Sequence, residues 1–292
     1  MREQHTWNSR RQPHRGRVGR RAAGAVLLAV AIVAVAGAVQ AQRYFREGSF
    51  AARWAPAQMP DAAFVICRLA YRSVRMEYSG IGWQTDYPYA EINLTTRLSE
   101  LTRTRVSRDE SQQPNFYVVR LTDDALFNCP ITVASDAGTI GIRDEEAERL
   151  RTYLLKGGFL WADDFWGSAA WDHWESQIAK VLPPSEYPIE DVAMDDPLLH
   201  SLFEVKQIPQ ITNIQFWRRS GGQETSERGP DSEDVHFRVI RDKHRRAMVL
   251  MTHNTDVADS WEREGEDPAF FYQFSPAGYA LGIDVLIHAM TH

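Results

Sequence analysis

Apolar positions along the chain follow two rhythms. Short runs with few polar interruptions, "AAFVICRLAY" (Ala62 to Tyr71), "PITVAS" (Pro130 to Ser135) and "GFLWA" (Gly158 to Ala162), read as strands buried on both faces, the habit of a parallel sheet. Between them the spacing turns helical. Leu94, Leu98 and Leu101 make one stripe on a helix over about Glu91 to Leu101, and Ala147, Leu150 and Leu154 share a face in "RDEEAERLRTYLLKGG". The acids Asp144, Glu145 and Glu146 load the first turn of that second helix, complementing its dipole, and Gly157 stops it. Strand, helix and strand in so short a span make a βαβ unit with parallel strands and a right-handed crossover.

Farther on, "GSAAWDHWESQIAKVL" (Gly167 to Leu182) predicts another helix, and "DDPLLHSLF" a short one with Pro197 in its first turn. "HFRVI" and "AMVLM" flank "RDKHRR" as an antiparallel hairpin. "SPAGYALGIDVLIHAMTH" predicts a largely buried closing helix opened by Ser275 and Pro276. Residues 218–235 are polar and glycine-rich and read as a mobile insertion. The expectation is an α/β domain over residues 61–292 with a mostly parallel sheet, and a linker over 42–60.

The leader differs in kind. Seven arginines against Glu3 put residues 1–41 at +6, so a whole-chain charge of −6 leaves residues 42–292 at −12. An acidic domain behind a basic leader argues against nucleic acid as a partner, since phosphate binding needs a clustered basic surface. Ala22 to Val39 carries no charge, and a helix of that length, roughly 27 Å, just crosses a hydrocarbon layer. Residues 22–41 are therefore read as a transmembrane signal-anchor, with "VQA" leaving a cleaved signal peptide as the alternative. Either way residues 1–21 form a basic cytoplasmic leader. The expected location is the inner membrane, single-pass through 22–39, with the domain extracytoplasmic, or secretion if the leader is cleaved. Cys67 and Cys129 then face an oxidising compartment, as a bridge between neighbouring strands or as two buried thiols.

Three loops carry candidate chemistry. Asp163 and Asp164, with Trp166, follow "GFLWA", expected just beyond the carboxyl end of a central strand, where open α/β sheets bind ligands. There they need not be buried charges, and in the structural alternative one caps the next helix while the other is solvated. "THNTDVADSWE" supplies His253, Asn254, Asp256, Asp259 and Glu262, and "GWQTDYPYAEINL" supplies Trp83, Asp86, Tyr87, Tyr89 and Asn93. Convergence of these loops would make an acidic, aromatic-lined pocket. Carboxylates there serve acid/base hydrolysis, hold a hard divalent cation, or tie loops together. His288 and His292 have the i, i+4 spacing of a metal pair. No G-x-S-x-G elbow, phosphate-binding P-loop, H-E-x-x-H or C-x-x-C motif is present.

The succession "FVICRLAY", "WQTDYPYAEINLTTRLSELT", "LRTYLLKGGFLWADDFWG", "NTDVADSWE" and "IHAMTH" resembles the bacterial domain-of-unknown-function family 4159 over about residues 61–292. The resemblance implies a flavodoxin-like sandwich similar to class I glutamine amidotransferases, with no established activity. An amidotransferase needs a cysteine on a glycine-flanked elbow. Cys67 runs on into "RLAY" and Cys129 into Pro130, so neither fits. The expected function is a membrane-tethered domain binding a ligand, or an envelope protein or glycan partner, at the carboxyl edge of its sheet. A metal- or carboxylate-dependent hydrolase of an envelope polymer is the alternative, and an interaction module acting through its surface loops the third.

Overall fold

The computed structural model describes residues 50–78 and 80–292. The basic leader, the apolar run 22–41 and residues 42–49 lie outside them. Among the described residues no helix is long and apolar enough to cross a membrane.

Seven strands form one mixed sheet: β1 (Ile66–Ala70), β3 (Phe116–Arg120), β4 (Ile131–Ala134), β6 (Phe159–Phe165), β7 (Ile189–Asp191), β8 (His236–Arg241) and β9 (Ala247–His253). Their order across the sheet is β3-β1-β4-β6-β9-β8-β7. The first five are parallel, while β8 is antiparallel to β9 and β7 to β8. A two-stranded ribbon, β2 (Arg72–Ser73) with β5 (Ile140–Gly141), stands beside them. The βαβ unit and the β8–β9 hairpin are as the apolar rhythm predicts.

Helices cover both faces. On one lie α1 (Tyr89–Leu101) and the closing helix α6 (Pro268–Thr291), around Leu94, Leu98, Trp161, Trp261 and Phe270. On the other lie α2 (Asp144–Leu155) and α3 (Ser168–Val181), around Leu150, Leu154, Phe165 and Trp174. A disulfide joins Cys67 on β1 to Cys129 just before the neighbouring β4, across a Cα–Cα distance of 5.9 Å. Two short helices, α4 (Ile214–Arg219) and α5 (Asp259–Glu262), complete the fold at the carboxyl edge of the sheet.

Four expectations are corrected. Leu101 is exposed, because α1 ends there and its last turn overhangs the core. The closing helix starts at Pro268, not Ser275, because Asp267 accepts from the amides of Ala269 and Phe270 and so supplies an earlier cap. Ser275 lies inside the helix, donating to the carbonyl of Ser260. Residues 218–235 are tied into the fold: Asp231 accepts from the Ser168 amide, and Arg228 pairs with Glu77 at 2.9 Å. Strand β3 is an element that the sequence reading leaves unassigned. Residues 53–55, within the segment read as a linker, hydrogen-bond to it through Val118.

Candidate functional site

Strand β6 does not stop at Ala162 but runs on through both aspartates to Phe165. Its register against β9 shifts between Ala162 and Phe165, a bulge that places one extra residue opposite β9. Asp164 takes φ of 53° there. Neither aspartate is solvated: Asp163 is 1 % exposed and Asp164 6 %. Neither caps α3, whose first amide bonds to Asp231 instead. Burial arises because the loops after β1, β4 and β9 close over this end of β6.

The bulge sends the two carboxylates to different surroundings. Asp163 accepts from Thr252 Oγ1 and from the amides of Val257 and Ala258 at 3.3 and 3.0 Å, so it anchors the turn leading into α5. Burial still lifts its carboxyl to about 7 against those donors. Asp164 accepts one bond, 3.0 Å from the Trp166 indole, and that is the role of Trp166.

Asp164 meets Asp86 and Asp256, and each of the three offers an oxygen within 4.8 Å of the others. Asp86 arrives on the loop between β2 and α1, at φ 65°, and Asp256 on the loop after β9. A second group shares Asp86 and adds Asp259 and Glu262 on the same length scale. Asp256 accepts from the Asp259 amide at 2.9 Å, and Asp259 from the Ile214 amide at 2.8 Å. Arg263 lies 3.5 Å from Asp259 and 2.7 Å from Glu262. Asp164 and Asp256 have no ion-pair partner among the described residues. Burial first, then like charges, hold both carboxyls well above the usual carboxylate range: Asp86, Glu227 and Asp136 act on Asp164, and Asp86 and Asp164 on Asp256.

Arg68 supplies a counter-charge to Asp86. Fully buried on β1, it donates to Glu91 on α1, to the carbonyl of Thr85 at 3.0 Å and to Ser135. Ser135 in turn donates to Asp86 at 2.7 Å. A small cavity of about 10 Å³, lined mostly by apolar side chains, lies against Arg68, Glu91 and Asp163. Around the rim, Asp136 accepts from the Gly82 amide at 2.7 Å, and burial raises its carboxyl to about 7. Glu227 accepts from the Asn213 amide at 2.8 Å and adds negative charge near Asp86 and Asp164.

Among the described residues six non-glycine residues have positive φ, and four of them, Asp86, Asp136, Asp164 and Asn254, stand at this edge. Asp and Asn adopt that conformation most readily. Its concentration here is the pattern of a backbone shaped for a site.

The remaining expected site residues are structural. Asn254 accepts from the Gly167 amide at 2.8 Å and donates to the Asp234 carbonyl at 2.7 Å, locking β9 to β6. Asn93 donates to the Trp261 carbonyl at 2.7 Å, joining α1 to α5. The rings of His288 and His292 stack face to face, 4.4 Å apart, and no histidine enters either carboxylate group. Arg68, Ser135, Asp136 and Glu227 are the members that the sequence reading missed. A charge inside "FVICRLAY" signals Arg68 and a strand-end position signals Ser135 and Asp136, whereas nothing local marks Glu227.

A family model described as a domain of unknown function, DUF4159, matches residues 72–290. No curated protein matches the chain.

Proposed function

The chain belongs to the DUF4159 family, and from that premise we propose a membrane-tethered, extracytoplasmic α/β domain that binds a hard divalent cation between Asp86, Asp164 and Asp256. Through that cation it holds an oxygen-rich ligand or partner at the carboxyl edge of its sheet. The observation that carries this reading is the meeting of three buried carboxylates, two of them without a basic partner. Buried charge of one sign is costly unless it is protonated or neutralised, and an all-carboxylate oxygen set selects Ca²⁺, Mg²⁺ or Mn²⁺ over softer ions.

Topology supports the same place. Numbered in chain order, the parallel strands lie 2-1-3-4-5, the flavodoxin-like order, whose switch point falls between β1 and β4. The loops leaving those two strands bring Asp86, Ser135 and Asp136. The order also supports the amidotransferase-like sandwich that the resemblance implies. Tether and location rest on the sequence of residues 1–41.

The test is unfolding of the purified full-length chain in EDTA and with each of Ca²⁺, Mg²⁺, Mn²⁺ and Zn²⁺. A cation at a hundred times its dissociation constant adds about 2.7 kcal/mol, and Asp164→Asn or Asp256→Asn removes the gain. No shift with any hard cation sinks the reading.

A second reading is a metal-assisted or carboxylate acid/base hydrolase of an envelope polymer such as a glycan. It is favoured by Asp256, whose carboxyl is pushed well above the usual carboxylate range by burial and then by the like charges of Asp86 and Asp164, the direction a general acid needs. Chelator-sensitive turnover that Asp256→Asn abolishes separates this reading from simple binding.

A further inference from the structure

Exposed large apolar side chains are unevenly distributed. Of thirteen among the described residues, seven come from 50–54 and 74–89, and the two most exposed on this loop are Met76 at 91 % and Tyr78 at 85 %. The loop after β2 alternates. Val74, Met76 and Tyr78 face solvent, while Arg75 donates to the carbonyl of Gly138 at 2.8 Å and Glu77 pairs with Arg75 and Arg228. Those inward contacts hold the loop, so its apolar side chains have no neighbouring core to enter. The segment 50–54 packs along the continuation of the same loop, Phe50 on Tyr89 at 5.5 Å and Trp54 on Trp83 at 6.4 Å, and leaves Phe50, Trp54 and Tyr89 partly exposed.

We infer that this rim rests on a lipid bilayer, with Val74, Met76 and Tyr78 in its interfacial layer. Two observations choose lipid as the occupant. Ten residues separate the uncharged run Ala22 to Val39 from Phe50, and ten residues reach at most about 35 Å. The patch also joins tyrosine and tryptophan to aliphatic side chains, the composition that favours the headgroup boundary. Residues 42–292 carry −12, so the contact is apolar and forms without anionic lipid. It turns the edge bearing Asp86 and Asp136 toward the headgroups. The first of these two observations rests on the reading of Ala22 to Val39 as a membrane span.

The test uses the full-length chain reconstituted in phosphatidylcholine vesicles, with Met76→Cys, Tyr78→Cys or Leu155→Cys carrying an environment-sensitive fluorophore. Leu155 is a fair control because it is exposed at the opposite edge, where α2 ends shortly before β6 begins. Labels at 76 and 78 are expected to shift to the blue and lose intensity to quenchers carried on the lipid chains, unchanged by salt, while the label at 155 does neither. Alkaline extraction reports separately on the span. A chain that resists extraction but shows no quenching at 76 and 78 overturns the inference and spares the anchor. A chain that is extracted, yet quenched at 76 and 78 when added to vesicles, retains the inference and overturns the anchor. Equal quenching at all three positions, or none with the chain extracted, overturns it.

Discussion

Arg68 supports the site through one of its carboxylates, Asp86. No solvent reaches it, and its guanidinium holds Glu91 directly and Asp86 through Ser135. Removing one partner of a buried ion pair leaves an uncompensated charge, which costs far more than the pair is worth. Arg68→Met should therefore lower unfolding stability by about 3–5 kcal/mol, whereas Arg68→Met combined with Glu91→Leu should recover most of it. Urea denaturation checks both variants, and a loss under about 1 kcal/mol for the single change would show that the pair is dispensable. The aspartates were legible as candidates because acids at the end of a buried strand stand out. Their division of labour was not: whether Asp163 or Asp164 faces Asp86 depends on a bulge, and a bulge has no signature in "WADDFW".

Among the elements, the β1–β4 pair frames the switch point and is crosslinked by Cys67 and Cys129. A bridge closing a 62-residue separation removes chain entropy from the unfolded state worth about 4 kcal/mol. Cys67→Ala with Cys129→Ala should lower the urea midpoint accordingly, and dithiothreitol should weaken the parent protein but not the variant. Equal response of the two to the reductant would mean that the thiols are not bridged. Apolar runs forecast β1, β4, β6 and the β8–β9 hairpin, since each keeps one period over its length. β3 carries a comparable run, Phe116 to Val119, but within a stretch rich in charges and turns that masks its period. The closing helix has two Pro-containing caps in series, and packing of Phe270 and Phe274 on Trp217 selects the earlier.

For the molecule as a whole, the buried carboxylates set a pH dependence. Burial lifts Asp163 and Asp136 to about 7 and Asp259 to about 6, above the range of an unfolded chain near 4. A group with a raised folded pKa contributes stability below its unfolded pKa and loses it as pH rises through the folded one. In EDTA the protein should therefore lose stability between about pH 4 and pH 7, and a bound divalent cation should restore it at pH 7 and above but not near pH 4. His253 works the other way: burial lowers it to about 4, so its contribution, complete above about 6.5, is lost as pH falls toward 4. Thermal midpoints across pH 4–8, with and without cation, test this, and an EDTA profile that rises steadily with pH would contradict it.

By itself the sequence determined the class of fold, the parallel centre of the sheet, the edge at which acids collect and the charge contrast between leader and domain. Each follows from local periodicity or composition, which a chain carries wherever it goes. Tertiary structure alone decided which acids meet, that Arg68 and Ser135 support one of them, that Asn254 and Asn93 tie loops instead, and that Cys67 reaches Cys129. Those outcomes depend on distances between residues far apart in the chain. Such distances are set by strand order, a one-residue bulge and the convergence of three loops, none of which leaves a periodic trace.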